Sequence, residues 1–282
     1  MTPPRVRVAR ALTSTPLARR HRRAMGELTP AARAGVRFAS FDRAAYPQAA
    51  LELAATVQRA LAAGEYAAVD LFAKIASALT LVGAPLDLVS AASRVPADEI
   101  RHTDLALRMA AALSDDRAPV TIDASRYAYL GANVSLELLD RAMLETAALG
   151  ETLACALLGA SHDGADDPVV RAHFALLLRD EIHHARLGWY YLAWRATAWS
   201  LIERQRVADH AGELVLHTEG MFCEGREAPR GAARAARALG VLDTKTQRAA
   251  ILRVMEEEIL PGLDGLGLGA SHAWRARPPL PH

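Results

Sequence analysis

A five-residue motif that combines an acid with a histidine occurs twice in the chain. It reads Asp-Glu-Ile-Arg-His at residues 98–102 and Asp-Glu-Ile-His-His at residues 180–184. On a helix, side chains three positions apart project from one face, with Cβ atoms roughly 5–6 Å apart. The glutamate and the histidine of each copy can therefore bind the same metal ion. The four candidate ligands are Glu99, His102, Glu181 and His184.

Two further acids lie on apolar helix faces, where an unpaired carboxylate is costly. Glu65 shares its face with apolar residues, whereas the nearby Glu52 falls on the other side of the same helix. Glu151 has the same apolar setting, while Glu145 follows an arginine by four residues, a spacing typical of an exposed ion pair. The two acids precede the motif glutamates by 34 and 30 residues, which places them at matching depths in two helix pairs. We therefore predict Glu65 and Glu151 as further ligands.

Four glutamates and two histidines suit a site for two metal ions. Four carboxylates offset the charge of two divalent cations, and without cations their burial would be very costly unless they were protonated. Carboxylate and imidazole ligands favour iron or manganese over metals that prefer thiolate. We expect two iron ions, with manganese as the alternative.

An aspartate directly precedes the glutamate in each motif copy. Asp98 and Asp180 are candidates to accept a hydrogen bond from the distal ring N–H of a ligand histidine on the other repeat helix, which fixes the tautomer of that histidine. Arg101 is expected to pair with such an aspartate. For Asp98 alone, a second interpretation stays open, that of a helix cap near Pro96.

Proline and glycine residues divide the chain into long stretches with helical patterning. Ala and Leu dominate the apolar residues and aromatic residues make up only 5% of the chain, which favours helix over strand. Pro96 is expected to start a new helix or to kink a continuous one. The predicted fold is all-α, a four-helix bundle with additional C-terminal helices. The six predicted helices span about residues 47–81, 86–113, 134–161, 167–199, 201–221 and 243–260.

The composition limits the classes of function. The chain of 282 residues is 51% hydrophobic and has a formal net charge of +1, so it has material for a large core and no general positive field for nucleic acid. Its two cysteines, Cys155 and Cys223, are too few for a disulfide framework or an iron–sulfur cluster and favour a reducing, cytoplasmic compartment. No uninterrupted apolar run approaches the roughly 18 residues that span a bilayer, so no membrane partner is expected.

The same patterns divide the chain into three parts. Residues 1–45 carry ten arginines and are typical of a basic, partly disordered arm, with an organelle transit peptide as the alternative. Residues 46–268 are predicted to form one helical domain that carries all the candidate ligands. Residues 269–282 are expected to be a flexible tail.

Over about residues 51–199, the chain resembles the ferritin-like non-haem di-iron carboxylate superfamily, through the two motif copies and the acids between them. The first copy is especially similar to the motif of bacterial multicomponent monooxygenases, ribonucleotide reductase small subunits and acyl-carrier desaturases. The resemblance implies a ferritin-like bundle in which Glu99 and Glu181 bridge two irons. It implies terminal ligands at Glu65, His102, Glu151 and His184.

Departures from known members narrow this expectation. The position of the radical tyrosine of ribonucleotide reductases is occupied by Ala106, and the extra histidine of arylamine N-oxygenases is replaced by Leu177. Ferritin lacks the second complete Glu-x-x-His, which this chain has. His173 lies two turns before Glu181 and is interpreted as a core histidine, with a position near the metals as the alternative.

The resemblance implies an O2-dependent oxidoreductase of the monooxygenase or oxidase type that hydroxylates, desaturates or N-oxygenates a small organic substrate. An external electron donor or reductase is implied, because the sequence contains no flavin, nicotinamide or iron–sulfur motif. Cys155, one turn after Glu151, matches a small Thr or Cys beside the dioxygen pocket of related hydroxylases and is the candidate catalytic residue, with a small core residue as the alternative. Gly188 is expected to leave room for the substrate.

Other functions stay open at this point. A ferritin-like protein that stores or detoxifies iron would use the same ligands without an organic substrate. A tRNA-hydroxylase-like enzyme would use the arginines of residues 1–45, although the interleaved aromatic and basic residues of a nucleic-acid surface are missing. A homodimer is also compatible with the sequence.

Overall fold

The computed structural model describes residues 5–7, 36–115, 120–123, 130 and 134–277. This part of the chain is mostly helical, which confirms the all-α prediction. Most of the predicted basic arm, and residues 278–282 of the expected tail, lie outside the described residues. A short antiparallel pair of strands, β1 (Arg5–Arg7) and β2 (Thr121–Asp123), and two 3-10 turns, Phe38–Ser40 and Arg43–Ala45, accompany the helices.

The helices are labelled in chain order. Two π-helical segments, Met143–Gly150 and Met255–Ile259, connect α4 with α5 and α9 with α10, so residues 136–164 form one continuous helical rod. The α-helices are α1 (Gln48–Leu81), α2 (Leu86–Ala92), α3 (Val95–Leu113), α4 (Leu136–Ala142), α5 (Glu151–Gly164), α6 (Pro168–Ala196), α7 (Leu201–Phe222), α8 (Ala233–Ala238), α9 (Thr244–Val254), α10 (Leu260–Gly265) and α11 (Ala270–Arg275).

The helix starts follow local sequence signals. Pro96 lies in the first turn of α3, so it starts a new helix and does not kink a continuous one. The side chain of Asp167 accepts hydrogen bonds from the first backbone N–H groups of α6. Ser200 and Glu203 form a reciprocal capping box at the start of α7. These signals set where α3, α6 and α7 begin along the chain.

Two helix pairs surround a layer of polar residues. Helix α1 packs along α3, α5 and its preceding π segment pack along α6, and α3 contacts α6. One apolar cluster includes Phe72 and Tyr191, and a second includes Leu51, Met109 and Phe174. Helices α1, α3 and α6 each contribute to both clusters, and the motif residues lie between the two. The candidate ligands are therefore held between two packed apolar layers.

The rod over residues 136–164 is long and apolar enough, by length and composition, to cross a membrane. In the folded chain, 56% of its most apolar 18-residue stretch is buried. Buried core helices of many proteins meet the same two criteria, so this feature alone is weak evidence for a membrane span.

The end of the described chain is ordered by packing. Helix α11 occupies Ala270–Arg275, where a flexible tail was expected, and its Trp274 is only 4% exposed. Nε of Arg277 lies 2.9 Å from a carboxylate oxygen of the buried Glu219, and its guanidinium stacks 3.7 Å from the centre of the Trp274 ring. Residues 270–277, which the sequence assigns to a flexible tail, are therefore packed against α7 through a tryptophan and an arginine.

Candidate metal centre

The six predicted ligands meet between the two helix pairs. In one group of four, the donor atoms of Glu65, Glu99, His102 and Glu181 all lie within 4.8 Å of one another. In a second group, those of Glu99, Glu151, Glu181 and His184 do so as well. Glu99 and Glu181 belong to both groups. Four helices thus supply a donor set with two shared carboxylates at its centre.

Both histidines turn Nδ1 toward the shared carboxylates. Nδ1 of His102 lies 2.8 Å from Oε1 of Glu181 and 3.5 Å from both Oε2 of Glu99 and Oε2 of Glu65. Nδ1 of His184 lies 2.9 Å from Oε2 of Glu181 and 3.1 Å from Oε1 of Glu99. Each histidine therefore contacts the glutamate of its own motif copy and that of the other copy.

The centre of the cluster contains polar atoms that lack hydrogen-bond partners. Glu99, His102, Glu181 and His184 are each at most 2% exposed. Both carboxylate oxygens of Glu99, Oε1 of Glu181 and Nδ1 of His102 are buried, and their close contacts with one another and with His184 lack hydrogen-bond geometry. Such atoms are rare in folded proteins because they forfeit solvation without compensation. Cations between these donors would supply the missing partners, so the donor set fits a metal site.

Electrostatic interactions divide the four carboxylates into two kinds. Burial, and then repulsion from Glu99 and Glu181, holds the pKa of Glu65 and that of Glu151 well above the ordinary value. Burial also acts to raise the pKa of Glu99 and that of Glu181, but the two adjacent histidines outweigh it, and both values are lowered. Without metal, the neutral acid form of Glu65 and Glu151 is therefore favoured up to a higher pH than for a solvated glutamate.

The histidines respond in the opposite sense to most buried imidazoles. Burial acts to lower the pKa of His102 and that of His184, but the surrounding carboxylates outweigh it and raise both values. These directions favour protons on groups that a metal ion would need in their deprotonated form. Metal binding at this cluster would therefore exchange protons for cations.

The aspartates of the motif lie where the sequence predicts them. Nε2 of His102 lies 3.3 Å from Oδ2 of Asp180, and Nε2 of His184 lies 3.5 Å from Oδ2 of Asp98. Each aspartate thus contacts the histidine of the other motif copy, as expected. The capping interpretation of Asp98 is wrong, because the start of α3 has no side-chain cap. Arg101 contacts both aspartates.

Comparisons with known protein families, with curated proteins and with solved structures found no match to this chain. The chemistry of the site therefore has to be inferred from its donor set and surroundings.

The π segment before Glu151 packs directly on Gly188 of α6. A Cβ atom built on Gly188 would lie 2.2 Å from the backbone nitrogen of Ala148 and 2.3 Å from the carbonyl carbon of Ala147. Backbone of the rod thus fills the volume that the sequence assigned to substrate. Gly188 allows two helices to approach closely and set the position of Glu151, and it does not line a substrate pocket.

Cys155 lies one turn after Glu151 and is partly buried. Burial, and then the charges of Glu181 and Glu151, raise the pKa of its thiol to about 12. The side chain is therefore a neutral thiol at physiological pH and not a nucleophilic thiolate. A small, uncharged group beside the carboxylates is compatible with the predicted catalytic role near a dioxygen pocket, which stays a prediction.

His173 does not join the cluster. It is completely buried, and its Nε2 lies 2.9 Å from Oε1 of Gln58, a residue that the sequence analysis missed. Burial lowers the pKa of His173 to about 3, so the ring is neutral. Gln58 precedes Glu65 by seven residues, and this two-turn spacing on the same helix face is the signal that could have identified it.

A second buried polar group was also missed. Asp140 of α4 is 3% exposed and accepts hydrogen bonds from the hydroxyl of Tyr191, from Nε1 of Trp199 and from two nitrogens of Arg195. These contacts join α4 to α6 and to the start of α7. Tyr191, which is completely buried, belongs to this structural network.

Proposed function

We propose that this chain is a ferritin-like, non-haem di-iron oxygenase or oxidase that activates dioxygen to oxidise a small organic substrate. The observation that supports it best is the convergence of two Glu-x-x-His pairs and two further glutamates on one buried cluster. The packing of two helix pairs around these donors supports a bundle of the kind that di-iron carboxylate proteins have. The charge of four carboxylates also matches that of two divalent cations.

The donor groups suggest how two metal ions would be shared. Glu99 and Glu181 belong to both groups and would bridge the ions. Glu65 and His102 would complete the ligand set of one ion, while Glu151 and His184 would complete that of the other. Two iron ions, or manganese as the alternative, would supply the electrons and the binding positions for dioxygen reduction.

Residues next to the candidate ligands orient them and shield them from water. Asp180 and Asp98 each face Nε2 of a ligand histidine and would accept its N–H in the metal-bound protein, which would leave the lone pair of Nδ1 for a metal ion. The two apolar layers exclude water from the ends of the cluster. Electrons for repeated turnover would come from an external donor or reductase, and we propose a cytoplasmic location because Cys155 and Cys223 are free thiols.

Anaerobic titration with Fe2+ tests the assignment. We expect saturation at about two ions per chain and a higher melting temperature for the loaded protein, since a ligand that binds only the native state stabilises it. Glu99→Ala and Glu181→Ala should each abolish binding of both ions. Glu145→Gln is the matched control, because Glu145 is partly exposed beside Arg141 and lies outside both donor groups.

Exposure of the loaded protein to dioxygen then separates enzyme from storage protein. An oxygenase should consume an amount of dioxygen set by its two bound ions and should need added reductant for each further cycle. Failure of the wild-type protein to bind two ions would refute the proposal. Continued uptake of tens of irons per chain, with dioxygen as the only co-reactant, would favour the iron-storage alternative instead.

A further inference from the structure

The two motif copies differ at their fourth position. The first copy has Arg101, which is 5% exposed, and the second has His183, whose side chain is exposed. The other chemically active positions of the two copies are alike, with an aspartate, a glutamate and a histidine in each. If the two halves of the site were symmetric, each motif copy would supply a buried cationic side chain at this position. Here only the first copy supplies one.

Arg101 contacts the aspartates of both copies. Its Nη2 lies 2.8 Å from Oδ1 of Asp98, one turn earlier on α3, and it also donates to Oδ2 of Asp180 on α6. The same nitrogen thus bridges the two carboxylates. Asp98 in turn faces His184 and Asp180 faces His102.

We propose that Arg101 is a single positioning residue for both metal-binding histidines and couples the two halves of the site. The proposal rests on the proposed function, since it assigns His102 and His184 as metal ligands. One guanidinium holds the two aspartates at the separation at which each accepts from the opposite histidine. Loss of this guanidinium would weaken the positioning of both histidines.

The two halves are not equally dependent on Arg101. Nε and Nη2 of Arg179 lie 3.1 and 3.0 Å from Oδ1 of Asp180, so Asp180 keeps a cationic partner when Arg101 is removed. Within the described part of the chain, the basic side chain that contacts Asp98 is that of Arg101. We therefore expect both halves to weaken, and the His184 half to weaken more.

Stepwise calorimetric titration with Co2+, followed in parallel by visible absorption, tests this coupling. Partners behind metal ligands typically contribute a factor of 10 to 100 in affinity. Arg101→Gln should lower both binding constants, by about 10-fold for one ion and about 100-fold for the other. Arg101→Lys should recover most of the affinity, because both aspartates contact one nitrogen and lysine supplies one cationic nitrogen. Arg179→Gln, which loses contacts to Asp180 alone, should weaken one step only.

Two outcomes would overturn the coupling. One is an Arg101→Gln protein that is folded by circular dichroism and keeps both binding constants. The other is loss of affinity in one step only. If the wild-type protein itself fails to bind two ions, the proposed function is refuted whatever Arg101 does, so the two failures are distinguishable.

A second set of variants tests the proposal if the Arg101→Gln protein does not fold. In an Asp98→Asn/Asp180→Asn variant, the two aspartates are neutral and removal of the guanidinium leaves no unpaired carboxylate behind. If Arg101 acts through the aspartates, adding Arg101→Gln to this variant should cause no further loss of Co2+ affinity. A further loss of 10-fold or more would show that Arg101 acts by another route and would overturn the proposal.

Discussion

Replacement of Gly188 by alanine would test how the rod positions Glu151. The added Cβ would lie 2.2 Å from the backbone nitrogen of Ala148, whereas ordinary contacts begin at 3.4 Å. Backbone must therefore move by more than 1 Å. Because Ala148 lies three residues before Glu151 on the same rod, this movement would displace the ligand carboxylate as well.

The expected loss of stability has two opposing contributions. Overpacking a core costs about 1–3 kcal/mol, and the upper end applies because backbone atoms cannot rotate away as side chains do. Replacing a helical glycine by alanine gains about 1 kcal/mol. The net loss is about 2 kcal/mol, which corresponds to a fall in melting temperature of roughly 4–8 °C for a domain of this size.

Thermal unfolding of the metal-free proteins, followed by circular dichroism, measures this difference. Gly159→Ala is the matched control, because its Cβ would approach nothing closer than a Leu178 methyl at 4.0 Å, and it should be neutral or stabilising by up to about 1 kcal/mol. Gly188→Ala should also weaken Co2+ binding, whereas Gly159→Ala should not. A Gly188→Ala protein as stable as the Gly159→Ala control would refute the close approach of the rod to α6.

Two further predictions concern buried polar groups outside the metal centre. Asp140→Asn should cost about 3 kcal/mol in urea unfolding, because it leaves the buried Arg195 charge with only the more distant carboxylate of Glu203, 3.5 Å away. Glu137→Gln, which removes an exposed pair with Arg206, should cost under about 1 kcal/mol, and equal losses would argue against the buried network. The pKa of His173 is lowered to about 3 in the folded protein, whereas that of an unfolded histidine is near 6.5. The neutral, buried ring therefore makes its full contribution to stability above about pH 6.5. As pH falls from there toward 3, this contribution is lost at up to about 1.4 kcal/mol per pH unit. In the His173→Asn variant, the free energy of unfolding should therefore fall less steeply between about pH 6 and pH 4 than in the wild type. His217→Asn, at an exposed position, is the control and should keep the wild-type slope. A wild-type slope in the His173→Asn variant would contradict a neutral, buried His173.

Local signals in the sequence determined much of this protein. Capping residues and prolines act through neighbouring backbone groups, so the starts of α6 and α7 follow from Asp167 and Ser200 whatever the helices pack against. The spacing of Glu-x-x-His places two donors on one helix face because helical periodicity is also a local property of the backbone. Apolar residues on both sides of Glu65 and Glu151 then indicated which acids face the interior, because an isolated carboxylate in such a stripe needs a partner.

Tertiary packing decided the features that depend on contacts between distant segments. The hydrogen bond between Gln58 and His173, the four bonds to Asp140 and the approach of Ala148 to Gly188 all join residues that lie at least 40 positions apart. The sharing of Arg101 between Asp98 and Asp180 likewise requires α3 and α6 to have one relative rotation and depth. Helical periodicity specifies which residues share a face, but only close packing of whole helices determines which faces meet and at what height.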